Sequence, residues 1–160
     1  MKRPEKPFHI VLVEPEIPQN TGNIARLSAA TGSTLHLVGT LGFRVDDKAV
    51  RRAGLDYWPL VTVKQHSDLD SCLSSIGSSV EPILLTTKSL KCYTDAPFVS
   101  GGILVFGKET KGLPEALRQK YENRCYSIPT VEDSVRSLNL SNAVSIVLYE
   151  ALRATAAFSM

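Results

Sequence analysis

The chain has 160 residues, enough for one domain with a core that needs neither a disulfide framework nor a metal staple to fold. Hydrophobic residues at 43% and charged residues at 21% exclude a disordered or collagen-like chain. With Lys+Arg 18 against Asp+Glu 16, the net charge of +2 excludes a polycation that grips nucleic acid by bulk charge, though not a local basic face.

In chain order, residues 1–7 carry no apolar signal core and run into a buried strand at 9–13. Further apolar runs at 34–38, 60–63, 82–86, 102–106 and 125–128 read as strands, and continuous runs of this length suit a parallel sheet covered on both faces. Between them lie helices with recognisable start and stop chemistry. Asn20 or Thr21 is expected to cap a helix through Ala30, with Gly32 past its end. Asp46 is expected to cap a short helix to Ala53, stopped by Gly54, and Ser67 one through Ile76, stopped by Gly77. A last helix, 140–157, is apolar around most of its girth and is expected to be buried twice, in the core and by a partner. The alternation implies right-handed crossovers and an α/β fold. No run approaches the roughly 20 apolar residues of a membrane span. Cys72, Cys92 and Cys125 are dispersed and odd in number, which suits a reducing cytoplasmic location.

Ligands of such sheets sit beyond the carboxyl ends of the strands. Three polar segments fall there. In Gly107-Lys108-Glu109-Thr110-Lys111-Gly112-Leu113-Pro114, two glycines allow close backbone approach to a ligand. Leu113-Pro114 stands where a phosphate loop needs Lys-Ser/Thr, so nucleotide hydrolysis is disfavoured; an ordinary strand-to-helix turn remains open. Residues 134–142 hold Ser134, Ser137, Asn139, Ser141 and Asn142. Helix capping by Asn139 or Ser141 accounts for one or two of them, and the surplus suggests a ligand contact. In 14–26, two prolines stiffen a loop that opens the Asn20 helix. Arg26 shares a face with Asn23, either in a functional role or in a salt bridge to Glu14 or Glu16.

Other chemistries lack their residues. There is no GxGxxG and no GxSxG. His9, His36 and His66 lack metal-ligand spacing and read as structural or surface residues, so no metal is expected. Cys92 and Cys125 have no neighbouring His or helix start in sequence to activate a thiolate.

Taken together, Glu-Pro-x-Ile-Pro-x-Asn-Thr-Gly-Asn-Ile-x-Arg, Phe-Gly-x-Glu-Thr-x-Gly-Leu-Pro and Ser-Leu-Asn-Leu-Ser-Asn-Ala-Val resemble, in order, the three motifs of the SPOUT (SpoU–TrmD) RNA methyltransferases. Gly42-Phe43, Asp46-Asp47-Lys48 and 51–57 narrow the resemblance to the small tRNA (cytidine/uridine) 2′-O-methyltransferases of the wobble nucleotide, position 34. It spans residues 8–153, and 129–139 is one residue longer than the usual loop. The resemblance implies a single SPOUT domain over 1–160, with a deep C-terminal trefoil knot and no appended RNA-binding domain. It implies S-adenosylmethionine as cofactor, with Leu85, Gly107, Ile128 and Ser137 at cofactor-contact positions and Glu109, Asn139 and Asn142 beside them. It also implies a homodimer, through the helix 140–157 and the helix starting near Asn20, in which Arg26 of one protomer faces the cofactor of its partner. The catalytic set expected is Arg26, Asn20 and Ser137. Lys48, Arg51, Arg52, Lys88 and Arg136 are the expected contacts to tRNA, together with Lys91 beside Lys88. Two other readings stay open: a methyltransferase acting at another RNA position, and a non-catalytic RNA-binding module.

Overall fold

A computed structural model describes residues 4–45, 48, 50, 52, 57–77 and 79–158. Six parallel strands form one sheet in the order β3-β2-β1-β5-β4-β6: β1 (His9–Val13), β2 (Thr34–Val38), β3 (Thr62–His66), β4 (Ile83–Leu85), β5 (Ile103–Phe106) and β6 (Cys125–Tyr126). Among the described residues, its helices include α1 (Pro18–Thr31), α2 (Leu69–Ile76), α3 (Glu115–Lys120) and α4 (Leu140–Ala154).

Alternation along each strand divides the apolar residues between the two faces. Ile10, Leu12, Leu35, Leu37, Leu104 and Phe106 pack with Ile24 of α1 and with Val144, Val147, Leu148 and Leu152 of α4. Val11, Val13, Val38, Ile103 and Val105 pack on the other face with Leu69 and Cys72 of α2 and Leu113 before α3. Each such side chain contributes about 1.5–3 kcal/mol on full burial, and both faces are covered as a parallel sheet requires.

The strands at 9–13 and 34–38 lie where the sequence puts them. The third is shifted: it runs 62–66 rather than 60–63, because residues 58–60 form a 3-10 turn. β3 is an edge strand whose Thr62, Lys64 and Gln65 are exposed, so its apolar signal is weak. The start of α1 also differs. Ile17 is its N-cap, with Pro18 at the first helical positions and no side-chain cap; Asn20 and Thr21 lie inside the helix and are buried. Asp68, not Ser67, caps α2 by accepting from Ser71 N at 2.7 Å. The glycine stops hold: Gly32 and Gly77 adopt left-handed φ of 67° and 66°. The expected helix 47–53 falls largely outside the described residues. Among the described residues, no helix is long and apolar enough to cross a membrane.

Candidate active site

Strand order reverses between β1 and β5, the point where open α/β sheets bind ligands. Here that crevice is bridged by the protein itself. The Glu109 carboxylate accepts from Glu16 N at 2.7 Å, from Ile17 N at 3.1 Å and from Asn20 Nδ2 at 3.4 Å. In return the Glu16 carboxylate accepts from Thr110 Oγ1 at 2.7 Å and Thr110 N at 3.1 Å; these bonds hold Glu16 below its ordinary pKa. Lys108 pairs with Glu14 at 3.2 Å. Glu109 thereby satisfies amides at the entrance of α1 that no local side chain reaches. Asn20 is a partner in this brace rather than a cap.

Beyond the bridged crevice stand the carboxyl ends of β5, β4 and β6. Leu85 stands in register with Phe106 on one side and Tyr126 on the other. Leu85 is 8% exposed, and Ile128 beyond β6 is half-buried against the same core. The loop after β4 is stitched to the extension of β6: Thr86 N donates to Tyr126 O at 2.9 Å, and Ser127 N to Lys91 O at 2.8 Å. The Lys91 ammonium donates to Asn123 O at 2.7 Å and lies 4.6 Å from the Tyr126 ring centroid, so it holds this loop instead of pointing at a ligand.

Gly107 is buried where β5 turns. A Cβ there would overlap the backbone of Gly112 and Leu113, while Gly112 N closes the turn onto Lys108 O at 2.9 Å. The need for glycine is therefore internal to the loop, ahead of any ligand.

Residues 129–137 are all exposed. Ser134 is used locally, donating to the Glu132 carboxylate through N and Oγ at 3.2 and 2.9 Å. Asn139 caps α4, its Oδ1 accepting from Ser141 N at 2.9 Å and Ser141 Oγ at 2.6 Å. Among the described residues this leaves Ser137 and Asn142 exposed with no side-chain hydrogen bond. The surplus inferred from sequence thus narrows to these two.

Arg26 is exposed on the outer face of α1, its guanidinium 4.8 Å from the Tyr57 ring centroid. The alternative of a salt bridge to Glu14 or Glu16 is not realised, since those carboxylates face Lys108 and Thr110. Lys48, Arg52, Lys88 and Arg136 are all exposed; Arg51 lies outside the described residues.

Sequence reasoning missed one cluster. His9, His36 and His66 form a diagonal ladder on the α2 face, with Nδ1 of His9 2.9 Å from Nε2 of His36, and Nδ1 of His36 2.9 Å from Nε2 of His66. Cys72 of α2 joins His36 and His66 in a group whose nitrogen and sulfur atoms lie within 4.8 Å of one another. Burial pushes His36 down to about 3 and the Cys72 thiol up to about 11. At neutral pH the rings are uncharged partners in a hydrogen-bonded chain. Spacings of 27 and 30 residues hide it from any local motif.

The family model of the SpoU rRNA Methylase family matches residues 7–149. A tRNA (cytidine(34)-2′-O)-methyltransferase of Photorhabdus asymbiotica is 47% identical over 151 residues, covering 91% of this chain and 93% of its own. One of the same name from Methylovorus glucosotrophus is 45% identical over 148 residues, covering 91% and 94%. A solved structure described as structural insights into the 2-OH methylation of C/U34 on tRNA superposes with TM-score 0.86 at 39% identity, covering 92% of this chain and 95% of that one. The SpoU methyltransferase AviRb of Streptomyces viridochromogenes, solved with the cofactor AdoMet, shares the fold at TM-score 0.80 and 24% identity, covering 96% and 62%.

Proposed function

This chain belongs to the SpoU rRNA Methylase family, and we propose that it transfers a methyl group from S-adenosylmethionine to the ribose 2′-hydroxyl of the wobble pyrimidine, position 34, of tRNA. The observation that carries this is 45–47% identity to the two relatives of that activity over nine-tenths of the chain. The brace joining Asn20, Glu16 and Glu109 supports it, because it holds two family motifs as one unit.

The residues at the carboxyl ends of β5, β4 and β6 fit the cofactor. Leu85 and Ile128 offer apolar walls, and the turns after β4, β5 and β6 offer main-chain groups to read a base edge. S-adenosylmethionine brings a methyl already activated on a sulfonium. What the protein adds is alignment, which supplies much of the rate of such a displacement, and charge stabilisation. Arg26 is a poor proton acceptor, since a guanidinium stays protonated; its task is to stabilise the alkoxide developing on the 2′-oxygen. Ser137 and Asn142 contribute uncommitted polar groups at the entrance of α4.

The same reading includes a homodimer. Ile146, Tyr149 and Phe158 remain 36%, 43% and 39% exposed on and beside α4, an apolar stripe that a second copy would cover. It would bring Arg26 of one protomer to the cofactor of its partner. The knotted threading of the family belongs here too: after β6 joins β4, the chain returns to pack α4 on α1. The domain would read tRNA with its own surface, through Lys48, Arg51, Arg52, Lys88 and Arg136, in the cytoplasm. Affinity should therefore fall steeply with salt.

Labelled methyl transfer to bulk tRNA, with the modified nucleotide mapped by mass spectrometry, tests the activity. Methyl at another position would narrow the assignment to the fold's chemistry alone, and cofactor binding without transfer would favour an RNA-binding module. Arg26→Ala should lower turnover about a hundredfold with cofactor affinity intact. A monomeric mass by sedimentation at micromolar concentration would remove the shared site.

A further inference from the structure

A concavity lies beyond the carboxyl ends of β2 and β3, on the opposite side of β1 from the proposed cofactor site. It is an open cavity of about 610 Å3, within the roughly 300–1,000 Å3 range of small-molecule sites. Leu41, Phe43, Val45 and Trp58 provide apolar and aromatic walls, and Arg44 and Gln65 the polar groups. Leu41, Val45 and Trp58 also pack on the main core, so the walls are in place without a ligand.

Two connections tie this cavity to the reacting centre. The loop that forms it rests on the motif at 14–17: Gly42 N donates to Pro15 O at 3.0 Å, and a Cβ on Gly42 would stand 2.8 Å from Glu16 Cα. Gly39 is equally close, its Cβ position 2.9 Å from Glu14 Cγ. On the other side, Trp58 directly follows Tyr57, the ring that carries the Arg26 guanidinium. Arg26 and a wall of the cavity are thus joined through two consecutive residues, Tyr57 and Trp58.

We propose that this cavity seats the pyrimidine base of the reacting nucleotide, stacked on Trp58 and Phe43, with Gln65 reading its edge; the proposal rests on the tRNA methyltransferase reading above. The chemistry favours a base over another occupant. Unstacked RNA bases are held by aromatic faces and read by hydrogen bonds along their edges. An amide carries both an acceptor and donors and presents either by rotation. Gln65 can thus pair with the amino group and N3 of cytosine, or in its other orientation with O4 and N3–H of uracil. A single side chain would so admit both pyrimidines; adenine offers the same amino-and-ring-nitrogen edge as cytosine, so a purine is disfavoured by its second ring and not by Gln65.

Anticodon stem-loops carrying C34, U34, A34 or an abasic ribose at 34 test this, each assayed with the wild type, Trp58→Ala, Trp58→Phe and Gln65→Leu. For the wild type, kcat/KM should be similar for C34 and U34 and at least tenfold lower for A34 and the abasic site. Trp58→Ala should lower kcat/KM for C34 about tenfold yet leave the abasic substrate unchanged, so the two converge; Trp58→Phe should restore most of the difference. Gln65→Leu should lower kcat/KM for C34 and U34 alike while leaving the abasic substrate unchanged. Cofactor affinity by calorimetry should be unchanged in all three variants. An undiminished C34-to-abasic ratio in Trp58→Ala would overturn the pocket while leaving the methyltransferase reading intact. A wild type that methylates none of the four would instead sink that reading.

Discussion

The loops 14–17 and 107–113 and the segment 129–137 all follow the carboxyl ends of strands, yet they are built in opposite ways. The first two are locked by reciprocal carboxylate bonds, Glu109 to the amides of Glu16 and Ile17, Glu16 to Thr110, and by the Lys108–Glu14 pair. The third is exposed along its whole length, and Val131 turns its side chain fully to solvent. Its side-chain hydrogen bonds are those within 132–134. One side is organised before any ligand arrives; the other has little to hold it until one does. Preorganisation belongs where geometry sets rate, and low local stability where a ligand must enter.

The sharpest way to break the locked side is Gly107→Val. Its branched side chain must displace the backbone of Gly112 and Leu113, so cofactor binding and turnover should both fall by about a hundredfold or more. Unchanged calorimetric affinity would place the loop outside the site. Glu109→Ala comes next. It leaves the Glu16 and Ile17 amides without their acceptor, a loss of about 1–3 kcal/mol, and should lower Tm by several degrees and turnover about tenfold. If Tm fell and turnover did not, the brace would be structural only. On the open side, S-adenosylmethionine should slow tryptic cleavage after Arg136 several-fold; a rate indifferent to cofactor would mean the segment stays open in the complex.

A last effect concerns pH. His36, His9 and His66 all lie below their ordinary pKa, chiefly through burial. The unfolded chain therefore takes up protons near pH 6.5 that the folded chain refuses. The stability is complete above that value and declines toward about 3, by at most about tenfold in the folding constant per group and pH unit. Thermal melts between pH 7.5 and 5 should show it, and His36→Asn should flatten the profile.

What was legible in the sequence is what local chemistry encodes. β1 and β2 are apolar runs flanked by turn residues, and Gly32 and Gly77 mark helix ends because only a left-handed residue completes those turns. Asn20 is not the cap its local sequence suggests, because its partner Glu109 stands 89 positions away. The edge strand β3 was displaced because a half-exposed strand carries only half an apolar pattern. Arg26, Ser137 and Asn142 stand out in their polar segments and take their roles from the resemblance; in the fold Arg26 lies on the Tyr57 ring, with neither Glu14 nor Glu16, and capping takes neither of the others. The histidine ladder and the Trp58 cavity were invisible, since each is assembled across strands.

The seam between β1 and β5 has a further consequence, for the order of events as the chain folds. Position 9 lies beside position 34 on one edge and beside position 103 on the other. No strand pair in the sheet is a hairpin, so every pairing must close a loop of a whole crossover or more. The longest closure joins the two halves of the sheet at the strand that carries the loop 14–17. The chain can therefore zip β1 and β2 together early, but it must search longest for the contact on which the Glu109 brace depends. Competence for the proposed chemistry is then among the last properties a newly made molecule acquires.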